Sequence, residues 1–218
     1  IVEEIEQKYP EYPGLNLSFE VREGLKKHET PWDSPNQETT FMSLEAQIAN
    51  ISDEIAYNNH DIDDGLSSGI LIVPELIKHV ALFREANDHV SHNHASLEPH
   101  ERHHLINSHI ISQQVMNAYH HSLYLIESHS LKSLGQLQLI SSNLIQFDSE
   151  MTEKNNELRL YLFNHFYQSD SIHKLNLMGQ QTIELIFNFL LSKPEFISTA
   201  FLKLYQQKQY PIDMVIGY

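Results

Sequence analysis

The sequence predicts an all-α fold, read as one domain over residues 1–218, and three observations carry that prediction. Apolar residues recur at the three-and-four spacing of a helix over most of the chain. Only seven glycines and few valines are present, a balance that favours helices over sheet. No stretch reads convincingly as a strand, and there is neither an internal repeat nor a low-complexity linker.

The 218 residues are enough for one sizeable core. A formal net charge of −15 argues against a general nucleic-acid-binding surface while leaving room for a local basic pocket. With no cysteine there is no disulfide framework and no thiolate metal site, which fits a cytoplasmic protein. No apolar run reaches the roughly 18 residues of a membrane span, and no signal peptide opens the chain.

In chain order, residues 1–9, IVEEIEQKY, read as the tail of a helix that lacks a start signal. Pro10 and Pro13 break it and Gly14 turns the chain. Ser18 suits an N-cap, with Glu20 and Glu23 near the positive end of a helix to about His28. Residues 30–39, with Pro31, Asp33, Pro35 and Asn36, read as a loop.

The central helix is predicted over residues 40–61, with Asp63, Asp64 and Gly65 ending or bending it. Gly69 and Pro74 bracket the entry to a helix over 74–87. Residues 98–129 are helical again, with Leu105, Ile106, Ile110, Val115, Met116 and Leu123 as the apolar side. The run 130–146 has no clear pattern. Helices follow at 153–167 and 172–191, then a short one at 194–205 and another opened by Pro211. Phe163, Phe166, Phe187 and Phe189 fall at helical spacings and are read as core.

The central helix, residues 44–66, LEAQIANISDEIAYNNHDIDDGL, organises the functional reading. Asp53, Tyr57 and Asp61 stand four apart, so they form one polar row. Leu44, Ile48, Ile51, Ile55 and Ile62 form an apolar seam beside it. Asp is a poor interior helix former, so two in one row need a reason: a solvated face, or a site.

The string SDEIAYNNHDIDDGL, residues 52–66, resembles the signature of bacterial dGTP triphosphohydrolases, a family of the HD-domain superfamily. Residues 9–33, YPEYPGLNLSFEVREGLKKHETPWD, resemble the segment that family carries just upstream. Residues 210–218, YPIDMVIGY, resemble its closing segment. The resemblance implies a multi-helix HD-type bundle. It also implies that this chain is the C-terminal portion of a longer protein, because the family's first histidine and its His-Asp pair lie upstream of the matching segments.

What the resemblance implies for residues follows position by position. A metal-dependent phosphohydrolase needs anionic or imidazole ligands around a divalent cation with an open position. Asp53 matches the family's last metal ligand, for Mg, Mn or another transition metal, and is the one catalytic residue this stretch would supply. Tyr57 and Asp61 match positions that face the deoxyribose, the Asp accepting from the 3′-hydroxyl. Asp63 and Asp64 would shape the turn. Glu54 stands where the family places a basic or acidic residue after its metal Asp.

Cations should meet the triphosphate. Arg22, Lys26, Lys27, Arg84, Arg102, Lys154, Arg159 and Lys174 are the candidates, and Arg102 stands where the family often carries a basic residue. Histidines crowd residues 89–129, and His100 and His104 have the four-residue spacing that can clip a metal. The resembled family does not require these residues. His28 recurs in the family's pattern.

The implied function is metal-dependent hydrolysis of dGTP, or another deoxynucleoside triphosphate, to deoxynucleoside and tripolyphosphate. Implied partners are the substrate itself, further copies of the chain (often a hexamer), and a regulatory dNTP in some members. The alternatives are another nucleotide phosphohydrolase of the superfamily and a non-catalytic nucleotide-binding or oligomerisation fragment.

Overall fold

The computed structural model describes residues 1–6, 8–26, 42–94, 96–137, 139–140, 142–199, 201–203 and 211–217. The loop expected at 30–39, Lys27 and His28 lie outside the described residues. Among those described the chain is all-α: helices and turns, with one isolated bridge between Tyr9 and Tyr12. The sequence reads as one domain; the chain gathers into two compact units, residues 20–169 and residues 1–19 with 170–218.

In the larger unit, α1 (Phe19–Lys26) begins directly after Ser18. Gly24 brings it close to the next helix, since a Cβ there would stand 3.1 Å from the Ala46 Cβ. The central helix α2 runs from Leu44 to Ser67, with Ser43 Oγ accepting from the Ala46 N–H as its N-cap.

Asp63, Asp64 and Gly65 do not end α2, contrary to the sequence expectation; the helix runs through them. Gly65 serves close packing instead of a turn. A Cβ on it would lie 2.3 Å from Leu71 Cδ1, and Leu71 is 2% exposed. The stop comes later. Ser68 N–H bonds the Asp64 carbonyl, and Gly69 takes φ +72°, a left-handed turn that suits glycine.

The helix expected at 74–87 is two, α3 (Val73–His79) and α4 (Ala81–Asn93), broken at Val80, whose backbone is extended. The Ala81 N–H exposed by the break is taken by the Glu157 carboxylate at 3.1 Å. The long helix α5 is Pro99–Ser128, opened by a capping box between Glu98 and Glu101.

The buried side of α5 is Ile106, Ile110, Gln114, Ala118 and Ser122, a strict four-residue row. Of the residues expected there, Val115, Met116 and Leu123 are exposed. Hydropathy misplaces the face because its two central polar residues are hydrogen-bonded and therefore tolerated inside. Gln114 bonds Asn59 and Asn155, and Ser122 bonds residue 146.

After the short α6 (Leu134–Leu137), α7 is Ser149–Leu162. It starts before the expected Glu153 because Asp148 caps it, accepting from the Met151 N–H at 2.8 Å. Residues 163–167 continue as one π-helical turn, FNHFY. The core shared by α3, α4, α5 and α7 holds Leu76, Val80, Leu82, Phe83, Ala86, Ile106, Ile110 and Leu158, all at 0% exposure. On the seam of α2, Ile55 and Ile62 are buried while Ile48 is exposed, and Gln47 takes the inner position. Gln47 Oε1 accepts from the N–H groups of both Leu144 and Ile145, fixing the loop ahead of α7.

In the smaller unit the N-terminal residues are a hydrogen-bonded turn and not a helix tail, the Ile1 carbonyl accepting from residues 4, 5 and 6. Gly14, at φ +69°, lies so close to the Glu3 carbonyl that any side chain would collide. Helix α8 is Asp170–Ser192, followed by a 3-10 turn, Pro194–Phe196, and the short helix Ile212–Ile216. The expected single short helix at 194–205 begins as that 3-10 turn. Of the aromatics read as core, Phe166 is buried, while Phe189 is 43% exposed and meets the Phe196 ring at a tilt of 53°.

Candidate functional site

The polar row of α2 faces α7 and its π-helical turn. Asp53, Tyr57 and Asp61 fall on one side of the helix as the spacing requires, and Glu54 joins them at the i, i+3, i+7 spacing 54–57–61. Tyr57 is 61% exposed; Asp53 and Asp61 are half-buried. The carboxylate of Asp61 accepts a hydrogen bond from the Tyr167 hydroxyl. One turn of α2 earlier, Glu54 Oε1 is 3.8 Å from Arg159 Nη1.

The electrostatics follow from that geometry. Burial pushes the Asp61 carboxyl above the ordinary carboxylate range; the Tyr167 bond and His60 pull it down, and Asp64 pushes it up. The Tyr167 phenol is pushed far above the ordinary tyrosine range by burial, by its bond to Asp61 and by the charges of Asp61 and Tyr57. Burial raises Glu54, against the pull of Arg159. The surface between α2 and α7, the candidate cleft, therefore carries two carboxyls shifted toward protonation, a phenol held as a donor, and a guanidinium.

Of the sequence-predicted residues, the structure groups Tyr57 and Asp61 and places Asp53 on the same face. Arg102 sits at the start of α5, where its Nη1 donates to Ser91 Oγ of α4 at 2.7 Å. Lys154 is held by Glu85 at 2.9 Å and Glu150 at 2.8 Å, and Arg84 donates to the Ile77 carbonyl. Arg159 meets Glu54 beside the α2 row. Asp63 and Asp64 are exposed helix residues and shape no turn.

Sequence reasoning missed Tyr167. No local pattern marks it, because what places it is the extra residue of the π turn, which re-aims the end of α7. FNHFY closes the helix expected at 153–167, so the sequence placed Tyr167 on the same element as Arg159 but carried no sign of the π turn.

Among the described residues no three histidine, aspartate or glutamate side chains are grouped to hold a metal ion. Asp53 alone does not make a metal centre, since a stable site needs several protein ligands. The crowded histidines form none; His89 and His109 stack face to face, ring centroids 4.0 Å apart. Among the described residues no helix is long and apolar enough to cross a membrane.

The larger unit thus sets the Asp53, Tyr57 and Asp61 row of α2 against α7, with Tyr167 on Asp61 and Arg159 on Glu54. Residues 145–216 match the family model described as phosphohydrolase-associated domain. Over nearly its whole length the chain is similar to curated proteins named deoxyguanosinetriphosphate triphosphohydrolase-like protein. The one from Geobacter sulfurreducens is 31% identical over 214 residues, 95% of this chain and 54% of the relative. The one from Geobacter metallireducens is 32% identical over 209 residues, 93% and 54% respectively. A third, from Bordetella pertussis, is 30% identical over 217 residues, 96% and 56%. The chain spans about half the length of the curated relatives it matches. The resemblance carried by residues 52–66 is thus borne out along the chain.

Proposed function

We propose that this chain supplies the sugar- and phosphate-facing wall of a phosphohydrolase that converts dGTP, or another deoxynucleoside triphosphate, to the deoxynucleoside and tripolyphosphate. The observation that carries the reading is the Asp61–Tyr167 pair, set on the same helix face as Asp53 and Tyr57 and beside Arg159. The names of the relatives supply the substrate class.

In this reading Asp61 accepts a hydrogen bond from the 3′-hydroxyl. Tyr167 already donates to the same carboxylate, which orients it and leaves its remaining lone pairs for the sugar. Tyr57, half out of the wall, offers a ring face to the deoxyribose. Arg159 turns from Glu54 to a phosphate, a bidentate acceptor that suits a guanidinium. Arg102 is a second, more distant phosphate candidate.

A divalent ion belongs to this reading as a proposal, with Asp53 as one ligand. The described residues do not complete its donor set, so no step of the reaction is assigned to it. Assembly of several copies, and a regulatory dNTP, are likewise proposals that the resemblance supports.

The test is tripolyphosphate release from each of the four dNTPs by the parent protein with the upstream segment that the resemblance implies, manganese present and Asp53→Ala alongside, together with dGTP binding. Binding and release that Asp53→Ala removes support the enzyme. Binding without release in either protein favours the second reading, a nucleotide-binding module.

A further inference from the structure

Three buried amides cross the interior of the larger unit in one line. Asn59 Nδ2, on α2, donates to the Ile55 carbonyl at 2.7 Å and to Gln114 Oε1, on α5, at 2.6 Å. Gln114 Nε2 donates to Asn155 Oδ1, on α7, at 2.6 Å. Asn155 Nδ2 ends the line on the Met151 carbonyl at 3.0 Å. Asn59 and Gln114 are 0% exposed and Asn155 is 2% exposed. A separate bond, Asn107 Nδ2 to the Asn59 carbonyl at 3.0 Å, adds a second tie from α5 to the same turn of α2.

The direction of the line is fixed. Both Asn59 Nδ2 hydrogens have acceptors, so Gln114 must accept from it with Oε1 and donate onward with Nε2. Position 114 therefore needs a side chain that accepts at one end and donates at the other. An apolar residue of the same size would leave one Asn59 Nδ2 hydrogen and the Asn155 Oδ1, both buried, without a partner.

The line also ends where the cleft is built. Asn59 lies between Tyr57 and Asp61 on α2, on the inner side of the helix. Asn155 is one turn before Arg159 on α7, the helix that leads into Tyr167.

We propose that the Asn59–Gln114–Asn155 relay is a positioning device for the cleft, holding α2 at the rotation and depth where Asp61 meets Tyr167 and Glu54 meets Arg159. None of the three touches the substrate; they act through the two helices. The inference deepens the proposed function and rests on it only for the consequence that a loosened cleft binds deoxynucleotide less well.

The experiment compares the chain with Gln114→Leu and Gln114→Glu, each labelled with 13Cζ-tyrosine. The Tyr167 signal is assigned by Tyr167→Phe, and its hydrogen-bonded position is bracketed by Asp61→Ala. In Gln114→Leu that signal moves toward its position in Asp61→Ala, and dGTP affinity falls roughly tenfold, about the loss of one buried hydrogen bond. A residue that merely stabilised the fold would lower the melting temperature and leave the signal in place.

Gln114→Glu behaves as a conditional variant. A buried carboxyl is protonated over much of the acid range, and in that form it accepts and donates as the amide does. Its Tyr167 signal moves as the pH rises by more than the Asp61 titration moves it in the unsubstituted chain, and at acid pH the two proteins coincide. That profile decides the matter even where Gln114→Leu does not fold. A Tyr167 signal unmoved in folded Gln114→Leu, or a pH profile in Gln114→Glu that matches that of the unsubstituted chain, overturns the positioning role. Movement of the signal in a chain that binds no dGTP leaves the relay standing and removes the functional reading instead.

Discussion

The Tyr167 hydroxyl donates to the Asp61 carboxylate across 106 residues of sequence, joining the centre of one helix to the π-helical end of another. That bond ties the polar row of α2 to the end of α7. It also sets the titration of both groups, since burial raises Asp61 while the Tyr167 bond lowers it.

Asp61 carries a stability cost at neutral pH with a definite sign. Its folded-state pKa is raised, so the native state favours the protonated carboxyl; that stabilisation is full below the ordinary Asp pKa and lost as pH rises through the raised value. Asp61→Asn therefore leaves the neutral-pH melting temperature unchanged or higher and flattens its pH dependence there, while deoxynucleotide affinity falls. Thermal melts from pH 4 to 8, with binding measured on the same samples, check this. Tyr167→Phe shifts the Asp61 titration upward, read by carboxyl 13C NMR.

In the proposed function Glu54 competes with a phosphate for Arg159, to which it is paired at 3.8 Å. Glu54→Gln frees the guanidinium and tightens triphosphate binding by roughly three- to tenfold, the scale of an exposed ion pair of about 1 kcal/mol. Arg159→Met weakens binding and reduces its dependence on salt. Titration calorimetry with tripolyphosphate at 50 and 300 mM salt, roughly 14 and 5–6 Å of screening length, separates the two.

Asp148 opens α7 and is the residue whose titration supports the fold. Its pKa is lowered by the Met151 N–H and by Asn117, which also accepts from the Asp148 N–H at 3.1 Å. Stability from this group is present above the ordinary Asp pKa and is lost as pH falls through the lowered one. Asp148→Ala costs about 1–3 kcal/mol at pH 7, a cap plus a paired amide. In urea melts the gap between the two proteins closes as the pH drops toward 2.

Gly65 is a packing glycine, so Gly65→Ala is a test of close approach. Ala is the better helix former by about 1 kcal/mol, yet its Cβ meets Leu71, and overpacking of this kind costs about 1–3 kcal/mol. The net change is destabilising, and Leu71→Ala in the same chain recovers part of it. A double-mutant cycle in urea reads the coupling directly.

How far the sequence led can be judged from particular residues. The helix carrying Asp53, Tyr57 and Asp61 was legible because four-residue spacing is a local property, and the string around it was specific. Gly65 was misread because the residue that needs its bare backbone, Leu71, cannot be recognised as its neighbour by pattern. The inner face of α5 was misread at Gln114 and Ser122 because hydropathy counts a polar side chain as outward, whatever partner awaits it. Tyr167 was invisible because a π turn has no sequence period of its own, and the partner that gives it meaning lies on α2. Local order was readable; the long-range pairs that complete the cleft were not.

The measurement that tests the central claim most directly is the affinity of the chain for dGTP against 2′,3′-dideoxyGTP, repeated with Asp61→Ala. If the α2 cleft receives the deoxyribose, the chain prefers dGTP by roughly 5- to 150-fold, the worth of a buried acceptor left unfilled, and Asp61→Ala abolishes the preference. Equal affinities in the unsubstituted chain, or a preference that survives Asp61→Ala in a folded protein, would contradict it.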